Sequence, residues 1–232
     1  MATWFNSPWF QRLGGGALER LAIGTISAIQ LRVLAAHKDP QTLRLIRDIR
    51  RQRRSLVTAY EAYTIHSLAK AQCRLEGELA EVGVYEGGTA RVICEVKGAR
   101  PLHLFDTFAG LPTSSAADRA IHRENQFACS LDSVRAYLQP YPGVEFHVGR
   151  FPESAAGLED RRFSFAHFDV DLYESTRGCL EWFYPRMVSG GVMISHDYSV
   201  LSGVKQAFTE FLADKPEDLV ELPSTQCLVI KR

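Results

Sequence analysis

Apolar positions along the chain change rhythm near residue 77. Before it, Leu21, Ile23, Ile26, Ile29, Leu31 and Leu34 recur at helical intervals, which predicts a helix with a broad apolar face that ends before Pro40. Two further helices are expected at about 41–54 and 57–73. Beyond Gly77 the apolar residues gather into short runs at 78–83, 101–106, 144–149, 163–169 and 190–196, each of the length expected for a strand buried on both faces. Helical patterns separate these runs, and that alternation predicts right-handed βαβ units around a parallel sheet. Asp218 to Leu222 and Cys227 to Ile230 are joined by a turn-like Pro-Ser-Thr-Gln and read as an antiparallel pair. The expected fold is α/β, a doubly wound, mostly parallel sheet over residues 77–232, preceded by a helical N-terminal extension over 1–76 that belongs to the same domain.

Composition narrows the picture. The 232 residues suffice for one α/β core, and 46% hydrophobic with 23% charged residues is an ordinary globular balance. Lys plus Arg and Asp plus Glu number 27 each, so no field of one sign draws nucleic acid, and a small neutral or zwitterionic substrate is expected. Six arginines between Arg44 and Arg54 alternate with Leu43, Ile46 and Ile49 and read as the solvated face of an amphipathic helix. The five scattered cysteines form no C-x-x-C pair. The stretch Ala17 to Ala36 is interrupted by Glu19, Arg20 and Arg32, so no membrane span is expected, and with no basic start at Met1 to Phe10 the expected compartment is the cytoplasm. Trp4, Phe5, Trp9 and Phe10 read either as a self-association or membrane-surface anchor or as residues packed on the helical leader.

Three segments carry chemistry. The first strand runs through Glu81 and Gly83 into Tyr85, Glu86, Gly87, Gly88 and Thr89 before a helix begins. Glycines at that junction permit a sharp turn and close ligand approach, while the helix offers free N–H groups. The spacing is G-x-x-x-G-G rather than G-x-G-x-x-G. Glu81 and Glu86 would repel a pyrophosphate and favour a cofactor carrying ammonium and sulfonium groups. Asp106 ends the second strand, where its carboxylate is placed to accept both ribose hydroxyl protons, with Thr107 adjoining. Asp169 ends the fourth strand, and His196 and Asp197 end the fifth. Converging there, they could hold a divalent cation that lowers the pKa of a substrate hydroxyl. Alternatively Asp171 or Asp197 caps a helix and His196 makes only a core hydrogen bond. The polar stretch from Thr107 to Cys129 has the length of a lid that could bring His122, Asn125 or Gln126 to a substrate.

The segments EVGVYEGGTA, LFDTFAGLP, HFDVDLYEST and SGGVMISHDYS together resemble the macrocin O-methyltransferase-like family, from about Tyr60 to the C-terminus. The resemblance implies a seven-stranded sheet with the last strand antiparallel, and transfer of a methyl group from S-adenosylmethionine (SAM) to a hydroxyl of a sugar or natural product with help from Mg2+. It implies that Glu81, Gly83 and Gly87 surround the amino-acid part of SAM, that Asp106 holds the ribose, and that Gly149-Arg150-Phe151 flanks the adenine. Asp169 matches the family's metal ligand and base, with His196 and Asp197 in its second acidic pair. One departure stands out: His196 occupies a position where an acid is usual, and imidazole suits Mn2+, Fe2+ or Zn2+ better than Mg2+. His196 acting as a metal-free general base is a second possibility. The helical leader would cover the substrate side or form a homo-oligomer interface. Two other readings stay open: a catalytically silent SAM-binding interaction protein, and a nicotinamide-dependent oxidoreductase that uses Asp106 for its ribose.

Overall fold

The computed structural model describes residues 17–113, 116–118 and 124–232. The aromatic residues Trp4, Phe5, Trp9 and Phe10 and the loop residue His122 lie outside them. Three helices come first: α1 (Ala17–Ala35), α2 (Pro40–Gln52) and α3 (Ala59–Gln72). Asp39 caps α2 by accepting from the Thr42 N–H, with Pro40 at the first helical position. Thr58 and Glu61 form a reciprocal capping box at the start of α3.

The strands are β1 (Glu78–Val82), β2 (Leu102–Asp106), β3 (Val144–Val148), β4 (Phe163–Phe168), β5 (Met187–Ser195), β6 (Leu219–Glu221) and β7 (Cys227–Ile230). They make one sheet in the order β3-β2-β1-β4-β5-β7-β6. All pairs are parallel except those made by β7, which runs antiparallel to both β5 and β6. Helices α4 (Gly88–Lys97), α5 (Leu131–Leu138), α6 (Tyr173–Phe183) and α7 (Ser202–Leu212) fill the connections. The doubly wound sheet and its terminal antiparallel hairpin are thus as the hydrophobic pattern predicts. Strand order reverses between β1 and β4, so their carboxyl ends diverge and open a crevice, the place where such sheets bind ligands.

Alternation along each strand divides the interior in two. Leu79, Leu102, Leu104, Phe165, Val192 and Ile194 face one side, where α1 to α4 pack with Leu34, Ile46, Ile65 and Ile93. Ala80, Val82, Phe105, Ala166, Phe168 and Met193 face the other, against Leu180 and Phe183 of α6 and Phe208 of α7. The leader helices therefore share a core with the sheet. Helix α1 buries Leu31 and Leu34 but leaves Leu21, Ile29 and Val33 largely exposed, so its apolar surface is wider than the face it packs.

Two boundaries differ from the sequence pattern. β5 starts at Met187 rather than at 190, because Met187 already pairs with Phe163 and the glycines lie within a bulge. A side chain on Gly191 would meet Met187 Cε and the Val188 carbonyl at 2.9 Å. Helix α2 stops at Gln52, leaving Arg53 extended and Arg54 beyond it. Arg44 and Arg51 are solvated, whereas Arg50 donates to the Val57 carbonyl at 2.7 Å and Arg53 donates to the Ser133 carbonyl at 2.9 Å. The arginine run is thus partly a set of loop anchors rather than a uniformly solvated face.

Candidate functional site

A cavity of about 760 Å³ opens at the carboxyl ends of β1, β2, β4 and β5. Its strand-end wall carries Gly83, Tyr85, Asp106, Thr107, Phe151, Asp169, His196 and Asp197. The leader supplies the facing wall: Ala22, Ile23 and Ile26 from α1, the segment from Arg54 to Thr58, and Glu61 from α3. Among the described non-glycine residues, six adopt positive φ, and Tyr85, Phe127, Asp171 and Asp197 among them line the cavity. Strain of this kind concentrates where surrounding structure holds a side chain in place for function.

The glycine loop is held from beneath. Asp106 Oδ2 accepts from the Val84 and Tyr85 N–H groups at 2.7 and 2.9 Å, and Oδ1 accepts from the Phe108 N–H at 2.7 Å. A carboxylate offers roughly four acceptor positions. With three occupied, one position stays open on Asp106, which itself lines the cavity.

Glu81 also stands elsewhere than expected. It is fully buried behind the loop rather than on the cavity wall. Its Oε1 accepts from the Thr89 hydroxyl and lies 3.0 Å from His167 Nδ1, tying α4 and β4 to β1, while Oε2 has no partner. Burial pushes its pKa up despite the nearby histidine. Gly83 is required by the backbone, since a Cβ there would sit 1.9 Å from the Asp169 carbonyl oxygen. Gly87 likewise turns away from the cavity, with φ 77° and Val134 and Tyr137 of α5 closest to a built Cβ. Glu81 and Gly87 therefore shape the pocket without lining it.

Asp169, His196 and Asp197 do converge. One ligand atom from each lies within 4.8 Å of the others. His196 Nδ1 is 3.2 Å from Asp197 Oδ2 and 3.5 Å from Asp169 Oδ1. On its other side Nε2 is 3.2 Å from Glu61 Oε2, a close charge contact whose angle falls short of a good hydrogen bond. Burial alone would push the imidazole pKa down, but the carboxylates of Asp197, Glu61 and Asp169 outweigh it and hold His196 well above the usual histidine range.

The same charges act in return. Burial raises Asp169, the His196 charge opposes that rise, and the net direction is upward. Against burial, His196 holds Asp197 below the ordinary carboxylate range. Asp171 is pushed well up by burial and by Asp197 and Asp169, and it hydrogen-bonds Asp197. It does not cap α6; that N–H, on Tyr173, is taken by Asp118 Oδ1 at 2.7 Å.

Glu61 was invisible to motif reasoning. Its position three residues after Thr58 reads only as a capping box, and Oε2 does accept from the Thr58 N–H at 2.8 Å. Oε1 meanwhile accepts from the Thr225 N–H and hydroxyl at 3.2 and 2.8 Å, joining the leader to the turn before β7. Burial works to raise its pKa, yet His196 and the Thr58 hydrogen bonds hold it far below the usual range.

The stretch from Thr107 to Cys129 folds back on itself. Leu111 donates to the Gln126 carbonyl and receives the Asn125 N–H, and Gly110 passes so close to Asn125 that a Cβ would meet its carbonyl at 2.5 Å. From this stretch Gly110, Leu111, Pro112 and Phe127 reach the cavity, whereas Asn125 and Gln126 do not line it.

The donor set suits the groups it would hold. Two carboxylates and an imidazole on one point match a divalent cation, with nitrogen favouring Mn2+, Fe2+ or Zn2+ over Mg2+. The cavity has the volume and the mixed apolar and polar lining of a nucleoside-cofactor pocket.

The profile of the macrocin-O-methyltransferase (TylF) family matches residues 62–223. An 8-demethyl-8-(2,3-dimethoxy-alpha-L-rhamnosyl)-tetracenomycin-C 4'-O-methyltransferase from Streptomyces olivaceus is 34% identical over 140 residues, 53% of this chain and 54% of that protein. A demethyldecarbamoylnovobiocin O-methyltransferase from Streptomyces niveus is 30% identical over 164 residues, 63% of each. The matches thus span between about half and two thirds of the length of these relatives. The solved structure of the O-methyltransferase NovP superposes with a TM-score of 0.66 at 26% identity, covering 76% of this chain and 81% of that one. With the profile spanning most of the chain, from residue 62 to residue 223, the chain belongs to the macrocin-O-methyltransferase (TylF) family.

Proposed function

We propose that the chain is a SAM-dependent O-methyltransferase that acts, with a divalent cation, on a hydroxyl of a sugar or other small natural product. The observation that carries this reading is the meeting of Asp169, His196 and Asp197 on the wall of a cavity whose rim is the glycine loop after β1. When bound, SAM supplies a methyl group on a positively charged sulfur, and a divalent cation supplies the charge that lowers an acceptor hydroxyl's pKa.

The protein's part is placement and proton handling. The strand-end wall would grip the cofactor through the one free acceptor position on Asp106, the cavity-lining backbone at Gly83 and the Gly149–Phe151 segment. Tyr85 and Thr107 stand beside it on the same wall. Asp169 stands on the cavity wall beside His196, and in this reading it would take the hydroxyl proton when the methyl group passes to that oxygen and the sulfur leaves as a neutral thioether. His196 and Asp197 would complete a cation site, with Glu61 placed behind the imidazole. The apolar leader wall excludes water and orients the acceptor, which supplies much of the rate in a direct displacement.

The reading extends to assembly and compartment. The exposed Leu21, Ile29 and Val33 on α1 are suited to a homo-oligomer, which sedimentation of the protein and of a Leu21→Ser, Ile29→Ser variant would check. Free cysteines fit a reducing cytoplasm, to be checked by cell fractionation. Among the described residues no helix is long and apolar enough to cross a membrane.

Calorimetric titration with SAM, repeated with EDTA, Mg2+ and Mn2+ and with NAD as control, tests the core of the proposal. Micromolar-range binding of SAM and none of NAD is expected, after which hydroxylated acceptors are screened for S-adenosylhomocysteine release. If SAM does not bind under any of these conditions, the methyltransferase reading fails.

A further inference from the structure

We propose that the outer edge of the sheet carries a second cation site, formed by His103, Glu145 and His147, that takes a divalent transition ion such as Zn2+, Ni2+ or Co2+. The placement follows from strand register. His103 on β2 pairs with Glu145 on the adjacent edge strand β3, and His147 lies two residues further along β3 on the same face. One ligand atom from each lies within 4.8 Å of the others, with His103 Nδ1 3.0 Å from His147 Nε2 and 3.6 Å from Glu145 Oε2. Neighbouring ligand atoms about 2.1 Å from one ion are separated by roughly 3.0–3.4 Å, so the two imidazole nitrogens already stand at chelating distance.

The site has its supporting partner as well. His103 Nε2 is 2.8 Å from Glu78 Oε2, and Glu78 is in turn paired with Arg161 at 2.9 Å. A carboxylate on the far nitrogen fixes the tautomer that leaves Nδ1 with a lone pair facing His147, the arrangement found behind metal-bound histidines. Without an ion the His147 Nε2–H donates to that lone pair. Binding needs the His147 proton to move to Nδ1 of the same ring and the exposed Glu145 carboxylate to swing in toward His147. His103 is buried while Glu145 is half exposed, so the open side faces solvent and leaves positions for water. Two imidazoles and one carboxylate favour late first-row ions over Mg2+. The ion would clamp β3 to β2 and steady the Gly149–Phe151 segment that follows β3 into the cavity.

Co2+ titration of the whole chain, followed by calorimetry and by visible absorption, tests this against the cation site at Asp169. His147→Gln should remove one equivalent of bound Co2+ or weaken that event by about tenfold or more, and Glu145→Gln should weaken it in the same direction. Asp169→Asn should leave this event in place, and SAM binding should be unchanged in His147→Gln and Glu145→Gln. Both positions are at least partly exposed, and thermal melts verify that the variants fold. Co2+ should also raise the melting temperature of Asp169→Asn protein but not of His147→Gln, Asp169→Asn protein. If Co2+ stoichiometry and affinity are the same in all three single variants, or if the only event is lost with Asp169→Asn, the second site does not exist and the histidines are a stacked structural pair. Neither result depends on whether SAM binds.

Discussion

The two walls of the cavity are built from different materials. The strand-end wall is polar and backbone-rich: Asp106 holds the glycine loop through two N–H groups and its own following turn through a third, and Asp169, His196 and Asp197 gather from two neighbouring strands. The leader wall is apolar along Ala22, Ile23 and Ile26, and its single charged contribution to the cluster is Glu61. In the proposed reading, one wall carries the reacting groups on the rigid ends of strands. The other closes the space above them and reaches across once, to set the charge on His196. A substitution in the first should therefore stop chemistry with little change in assembly, while one at Glu61 should change both the cluster and the union of leader and core.

The most damaging test of that contrast is Asp169→Asn. Removing the proton acceptor and a charge from the cluster should lower turnover by about 10²–10⁴-fold with any acceptor the screen returns. SAM affinity should stay within a few fold, measured by calorimetry. Equal loss of both would mean that the strand-end wall holds the cofactor mainly through Asp169, and the division of labour would be redrawn.

Glu61→Gln should have the next largest effect. The amide keeps one acceptor oxygen, enough for Thr225 or for the Thr58 N–H but not both, and it removes one of the three carboxylates around His196. The folded-state pKa of His196 should therefore fall, which histidine NMR titration reads directly. Cation affinity at the cluster should drop by roughly 10- to 100-fold, the usual consequence of losing a carboxylate behind a ligating imidazole. An unmoved His196 titration would show that Glu61 serves only to cap α3 and hold Thr225.

The two walls also differ in how openly they are written in the chain. All seven strands and the strand-end acids are legible, because strands buried on both faces leave uninterrupted apolar runs and because ligand groups of such sheets fall just after them. Glu61 is not legible, since its local pattern is that of any capped helix and its partners lie 135 and 164 residues away in the chain. Gly83 and Gly87 turn the chain as the spacing predicts, and packing adds a requirement the spacing does not show: the Asp169 backbone crowds Gly83 and α5 crowds Gly87. The family resemblance sets Glu81 around the cofactor, while β-strand alternation turns its side chain into the core beside Thr89 and His167. Spacing reports which residues are near a site; only packing reports which of them face it.

Glu217 supplies the control that belongs to neither wall. It precedes β6, is buried, and accepts from Tyr184 Oη at 2.6 Å, Lys231 Nζ at 2.7 Å and the Arg232 N–H at 3.1 Å, fastening the end of the chain beside α6. Burial alone would raise its pKa, but these partners override it and hold the carboxyl down to about 2. A carboxylate depressed on folding adds stability above its unfolded pKa of about 4.3, and that stability is lost as pH falls from there through about 2. Glu217→Gln should accordingly lower stability near pH 7 by about 1.5–3 kcal/mol, as expected for charge-assisted hydrogen bonds. The two proteins' urea midpoints should converge as the pH falls toward 2. SAM binding and turnover should be untouched, because none of these residues lines the cavity. A loss of activity in Glu217→Gln at a temperature where it remains folded would mean that the β6–β7 hairpin transmits strain to Thr225 and hence to Glu61, and the leader wall would then depend on the far edge of the sheet as well.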